Sequence, residues 1–498
     1  MKPTPIRAVS SAARFLPFAV RAGLGLWLAG MGVAGAAQGA MAPRPNILFI
    51  VTDDQGPWAF GASGESQAVT PVLDRLAREG ARFTRAFTPT PVCSPARVSI
   101  LTARYGSEVG ITDHLNPRVD GDFVLDPALP TWPRQLQRAG YATALIGKWH
   151  LGLRRSPTEY GYDAFIGFRA GGIAPRHPAL EKNGVTVKRE GFVVDLLTDE
   201  TIEWLEARDP AKPFAVSLHY REPHAPYLPV RDEDLAAVAG LEIRPPEPDF
   251  PGLNTELVQR LMREYLASVA AIDRNLQRLL AAMERLGLAR NTVVIFTSDH
   301  GYNLGHHGLR FKGNAQWGLL HPSAVPPGTP NVPANQRPNM FDTSLRVPLV
   351  VRWPGVVAPG RVIDESVSHL DWFRTLAEIA GAPLPADATV RGRSFVPLLR
   401  GPVAGWDNDV YAEYAMKHGA TAHLRAYRSN DWKLVRDFAN PGRDELYHLA
   451  ADPGEKRNLI GDRRPEVRAV RDRLDGLIRA RMNALGDPIR YRPPVDLE

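Results

Sequence analysis

Apolar residues fall along the chain in short unbroken runs, each ending in acids, histidines or a lysine. The first, residues 46–51 (NILFIV), leads into Thr52-Asp53-Asp54-Gln55-Gly56. Residues 141–146 run into Gly147-Lys148-Trp149-His150, residues 214–218 into His219, and residues 292–296 into Thr297-Ser298-Asp299-His300-Gly301. A run that is apolar at every position has both faces covered, as in a buried parallel strand. Helical patterns alternate with these runs. Residues 70–79 and 131–139 open on a threonine with proline in the first turn, and residues 255–286 repeat Leu, Val, Ile and Met at helical spacing, a stripe that belongs to a core. The alternation predicts an open α/β sheet of parallel strands flanked by helices, with its site at the C-terminal strand ends.

Past Leu399-Arg400-Gly401-Pro402 the texture changes. Residues 426–435 and 445–449 read as antiparallel strands and 465–484 as a closing helix. The expected division is a large α/β domain over 44–400 and a smaller α+β subdomain, an antiparallel sheet plus helix, over 401–498. Pro- and Gly-rich stretches at 171–178, 245–251 and 321–338 read as lids, substrate walls or solvated excursions. No internal repeat or low-complexity tract interrupts the scheme.

The chain has 498 residues, 44% hydrophobic and 23% charged, an ordinary globular composition. Its formal charge of +6 suggests a polyanionic partner until its location is considered. Lys2, Arg7, Arg14 and Arg21 stand without acids in residues 1–40, and discounting them leaves +2, too little to support a nucleic-acid role. The basic start followed by uncharged residues 22–37 reads as a signal peptide over 1–40, cleaved between Ala36 and Ala40. Export to the periplasm or medium, with no stable membrane insertion after cleavage, is the expectation. The chain has one cysteine, Cys93, so no intramolecular disulfide forms.

Asp53 and Asp54 at one strand end and Asp299 with His300 at another would repel each other without a cation, and oxygen ligands suit a hard ion, calcium or magnesium. His300 is an awkward ligand for such an ion. Cys93 stands ahead of a helical pattern, where backbone N–H groups, the helix dipole and Arg97 favour a thiolate. On those grounds alone Cys93 is either a buried small hydrophobe or a nucleophile.

The run Cys93-Ser94-Pro95-Ala96-Arg97 resembles the signature of the cysteine-type sulfatases, of the alkaline phosphatase-like superfamily. Gly147-Lys148-Trp149-His150-Leu151-Gly152 resembles that family's second motif, Ser298-Asp299-His300-Gly301 its second metal motif, and Asp53-Asp54 its opening motif. A C-terminal run from Glu445 through Asp452-Pro453-Gly454-Glu455 to Asn458-Leu459 also matches. The resemblance implies an α/β fold with a mixed, mostly parallel sheet, and hydrolysis of an organic sulfate ester, with Cys93 oxidised by a formylglycine-generating maturation enzyme. It further implies one Ca2+ on Asp53, Asp54, Asp299, His300 and the modified Cys93. Arg97 and Lys148 would hold the hydrated aldehyde, His150 would be the base for sulfate elimination, and His224 and Lys312 would contact sulfate or the leaving oxygen. His219 competes with His224 for its role. His306 and His307 read as structural, while Asp113, His114 and Asn116 stand where a substrate pocket is not resolved by spacing. The expected substrate is a sulfated small molecule or sulfated glycan. Related formylglycine phosphonate and phosphodiester hydrolases share the nucleophile motif, and an unmodified homologue would only bind sulfated ligands. One departure is Ala103, where the family usually has glycine; a methyl group is tolerable there unless the backbone needs positive φ.

Overall fold

A computed structural model describes residues 44–64, 67–386 and 389–491, so the expected signal peptide and its cleavage site lie outside the described residues. The four apolar runs are the central strands of one eleven-stranded sheet. Asn46–Thr52 lies between Phe214–His219 and Thr292–Ser298, parallel to both, and Ala142–Lys148 continues the parallel set outside Phe214–His219. The unbroken apolarity has the cause expected of it. Leu48 and Ile50 pack into a core on one face with the long helix Thr255–Arg285, while Ile47, Phe49 and Val51 pack on the other with Trp132 and Trp372. Phe49 meets both tryptophans edge to face, at centroid distances of 6.0 and 4.8 Å.

On its other flank the sheet turns antiparallel. Arg346–Arg352 pairs against both Thr292–Ser298 and Ala81–Phe87, which makes the sheet mixed as expected. A second, four-stranded sheet joins Asn303–Leu304, Arg310–Phe311, Asn314–Gln316 and Gln336–Pro338 beside the strand ends. This last strand and a short 3-10 turn, Pro322–Ala324, interrupt the stretch read as a loop over 321–338.

The C-terminal subdomain is an antiparallel sheet of Val410–Met416, Ala422–Arg428, Trp432–Asp437 and Glu445–His448, closed by the helix Pro465–Leu485. Residues 426–435 do not form one strand. They span a hairpin that reverses at Ser429-Asn430-Asp431, where Ser429 N–H donates to Trp432 O at 2.8 Å, and short polar side chains favour such a reversal. No helix among the described residues is long and apolar enough to cross a membrane.

Candidate active site

Register brings the polar strand ends together. Thr52 is paired with Ser298, so Asp53-Asp54 and Asp299-His300 leave the sheet as neighbours, and Asp299 N–H donates to Thr52 O at 3.0 Å. His219 at the end of its strand is paired with Gly147, one residue before Lys148. Gly147 has φ +116, and a Cβ there would lie 1.8 Å from His219 O, so only glycine lets these two strands approach.

The ligand-capable atoms of Asp53, Asp54, Cys93 and His300 all lie within 4.8 Å of one another. Asp299 stands outside that group of four but adjoins it, with Oδ1 3.4 Å from His300 Nε2 and Oδ2 held by Arg97 at 2.9 and 3.0 Å. His300 Nδ1 donates to Gly301 O at 2.9 Å, which turns Nε2 toward Asp54 at 3.5 Å and Cys93 Sγ at 3.3 Å. His369 Nε2 in turn donates to Asp299 O at 2.9 Å while Trp372 Nε1 donates to its Nδ1, fixing the loop from behind. Three convergent carboxylates suit a hard divalent cation, and His300 Nε2 faces the same point. The sulfur of Cys93 is the misfit in that donor set. Oxidation of Cys93 would put oxygen in its place.

Cations neutralise the carboxylates. Lys148 pairs with Asp53, Lys312 pairs with Asp54, and all four side chains are buried. Burial raises the Asp53 carboxyl, but Lys148 and its neighbours outweigh burial and hold it well below the usual range. Burial would also lower His300, yet Asp299 raises it to about 9.

Cys93 opens the helix Cys93–Thr102, every residue of which is buried. Its Sγ lies 3.4 Å from Asp53 Oδ1 and 3.3 Å from Lys312 Nζ. Burial and Asp53 push the thiol up, and Lys148 with Lys312 more than offset them, so the net shift is downward. The turn carrying Lys312 is docked against the residues ahead of Cys93. Gly313 N–H donates to Pro91 O at 2.9 Å, and Asn339 holds the Lys312 carbonyl at 2.7 Å.

His150 has φ 57 and sits over Gly171, where a Cβ would fall 2.6 Å from its Nε2. That Nε2 lies 3.0 Å from Leu115 O, a carbonyl, so it carries the proton. Nδ1 is left as a buried lone pair without a partner among the described residues. Burial, then Lys148, keeps the ring neutral, with a pKa well below the ordinary value.

His219 and His224 separate clearly in space. His219 points inward, 3.2 Å from Lys148 O and 3.3 Å from Arg97 Nη1. His224 lines the cavity that contains Cys93, with Nε2 3.8 Å from Asp54, and burial lowers it to about 4. His114 and Asn116 line the same cavity, as do Gly171 and Gly172 of the first glycine-rich stretch, while Asp113 is buried behind His114. His306 and His307 line a different cavity, and His307 stacks on Phe341 at 3.8 Å. Sequence reading missed Asn314 and Gln316, which also line the cavity over Cys93. Their alternation two residues past Lys312 was the available signal.

The sulfatase family model matches residues 45–382, and an N-sulphoglucosamine sulphohydrolase C-terminal model matches 335–483. The chain belongs to the sulfatase family. An N-acetylglucosamine-6-O-sulfatase from Bacteroides thetaiotaomicron is 26% identical, the match covering 84% of this chain and 83% of that protein. A steryl-sulfatase from Mus musculus is 29% identical, covering 93% and 85%. Among solved structures, a protein in complex with its substrate D-glucosamine-2-N,6-O-disulfate superposes with a TM-score of 0.75 at 25% identity, covering 89% of this chain and 99% of that one. The fold is that of these sulfatases, with the mostly parallel sheet and C-terminal antiparallel subdomain read from the sequence, and the enzyme is a sulfuric ester hydrolase.

Proposed function

We propose that this sulfatase cleaves organic sulfate esters through a hydrated formylglycine made from Cys93 by a maturation enzyme, with one Ca2+ bound by Asp53, Asp54, Asp299, His300 and residue 93. The observation that carries the reading is the surroundings of Cys93. Its sulfur, at the N-terminal end of a buried helix and on a cavity wall, lies within 3.4 Å of Asp53, His300 and Lys312. When bound, the ion offsets the carboxylates and favours the ionised hydrate.

Arg97 and Lys148 orient the hydrate and neutralise its charge. One hydrate oxygen attacks sulfur in line, the S–O bond to the alcohol breaks, and Lys312 supplies the proton the alcohol needs while His224 contacts the sulfate or the leaving oxygen. Sulfate is then joined to residue 93 through oxygen. His150 Nδ1, already neutral and unpartnered, takes the proton of the second hydroxyl. The C–O bond to sulfate breaks, the aldehyde returns, and water hydrates it again. The signal peptide and the family resemblance favour action in the periplasm or medium.

The test is mass spectrometry across Cys93 after co-expression with a formylglycine-generating enzyme, joined to assays with an aryl sulfate and an aryl phosphodiester. A peptide in which aldehyde replaces thiol, activity lost on chelation, and the higher kcat/KM on the sulfate are expected. Only free thiol, or a much higher kcat/KM on the phosphodiester, overturns the reading.

A further inference from the structure

The cavity over Cys93 has a volume of about 500 Å³. One wall is the small sheet beside the strand ends. Asn314 and Gln316, two residues apart on one strand, present their side chains to the same face, and both line the cavity with Lys312. Gln336 is the direct cross-strand partner of Gln316, so its side chain shares that face. Its Nε2 reaches toward the turn of the C-terminal sheet, where a Cβ on Gly419 would stand 3.3 Å away. Gln336 itself lines the neighbouring cavity with Trp317 and Arg337, so the amides of this sheet facing the cavity over Cys93 are Asn314 and Gln316.

Asn314 Oδ1 is buried and has no hydrogen-bond partner among the described residues. Buried amide oxygens in folded proteins are nearly always paired, so this one, on a cavity-lining residue, calls for a donor from outside the chain. The rest of the lining narrows what brings that donor. Among the described residues, Lys312 is its only lysine or arginine, and Phe311 is its only phenylalanine, tyrosine or tryptophan. Across the cavity, His114 Nδ1 is tied to Asp113 at 3.1 Å, which leaves Nε2 for a ligand. An apolar leaving alcohol would strand these polar groups, whereas a ring bearing several hydroxyls pairs with them.

We propose that Asn314 and Gln316 are specificity-determining residues that read the hydroxyl groups of an uncharged sugar ring, making a sulfated carbohydrate the substrate class of this enzyme. The inference rests on the formylglycine sulfatase reading above.

The test uses the full mature enzyme carrying formylglycine at position 93. kcat/KM is measured for 4-nitrophenyl sulfate and for a panel of monosulfated hexoses and N-acetylhexosamines with sulfate at each ring position. In Asn314→Leu and Gln316→Met the sugar-to-aryl ratio of kcat/KM falls about tenfold, through a higher KM on the sugar. Thermal melting monitors folding of both variants. A ratio within twofold of wild type in folded variants overturns the assignment, as does a wild-type enzyme that hydrolyses 4-nitrophenyl sulfate and no member of the panel. A formylglycine-bearing enzyme that hydrolyses neither class overturns the parent reading and this one with it.

Discussion

Ala103 caps the helix Cys93–Thr102 at φ 55 and ψ 36, so the backbone does need the left-handed conformation that makes glycine usual there. An L-residue costs about 1–2 kcal/mol in that region. Two terms oppose it: the buried methyl contributes about 0.8 kcal/mol, and alanine's smaller unfolded-state entropy about 0.4–1 kcal/mol. The balance is close to zero, which explains how the chain tolerates the departure. Ala103→Gly is expected to change stability by less than about 1 kcal/mol in urea unfolding, and Ala103→Val to lower it by more than about 2 kcal/mol, because a branched side chain there is both strained and overpacked. Asp371 carries a pH dependence. Burial raises its carboxyl to about 6, against backbone N–H groups of Arg393 and Ser368 that hold it at 2.8 and 2.7 Å. Below about pH 4 it is protonated folded and unfolded alike. Between there and about pH 6 the unfolded chain ionises more readily, so stability falls as pH rises, by at most about 1.4 kcal/mol per unit. Urea midpoints at pH 4 and pH 6.5 should show a shallower decline for Asp371→Asn than for wild type.

Among the elements, the helix Pro71–Glu79 shows how one borrows its cap from another. Thr70 makes no side-chain cap. Instead Asp273, within one turn of the middle of the long helix Thr255–Arg285, accepts from Val72 N at 3.1 Å and Leu73 N at 2.8 Å. Asp273→Ala should cost about 1–2 kcal/mol in denaturant unfolding, the magnitude of a lost N-cap, and Asp273→Asn should recover part of it. The proline at the helix start was legible along the chain, because it acts on its own backbone. The cap was not, since its partner lies some two hundred residues away. The same limit explains the hairpin inside residues 426–435, where apolar residues on both sides of Ser429-Asn430-Asp431 read as one strand until pairing separates them.

At the scale of the whole molecule, the C-terminal sheet is tied to the α/β part through a buried ionic group. Lys433, fully buried, donates to Met340 O at 2.7 Å and to Asp342 at 2.9 Å, and pairs with Glu455. Arg428 holds the other side of Asp342 at 3.1 Å. Removing one partner from such a group leaves buried charge uncompensated, so Lys433→Met should lower stability by about 3–5 kcal/mol in urea unfolding. Glu455 lies in the C-terminal Asp-Pro-Gly-Glu run, and its position in the lock gives that run a structural purpose which the sequence did not reveal.

The sequence by itself determined the buried parallel strands, the acids and bases at their ends, and the family, because these depend on local periodicity and on motifs contiguous in the chain. Tertiary structure decided which polar ends meet. Strand register set Asp53 beside Asp299, inward rotation separated His219 from His224, and a cross-strand pair put Gln336 next to Gln316. Those relations are fixed by packing and strand pairing, which no local pattern in the chain carries.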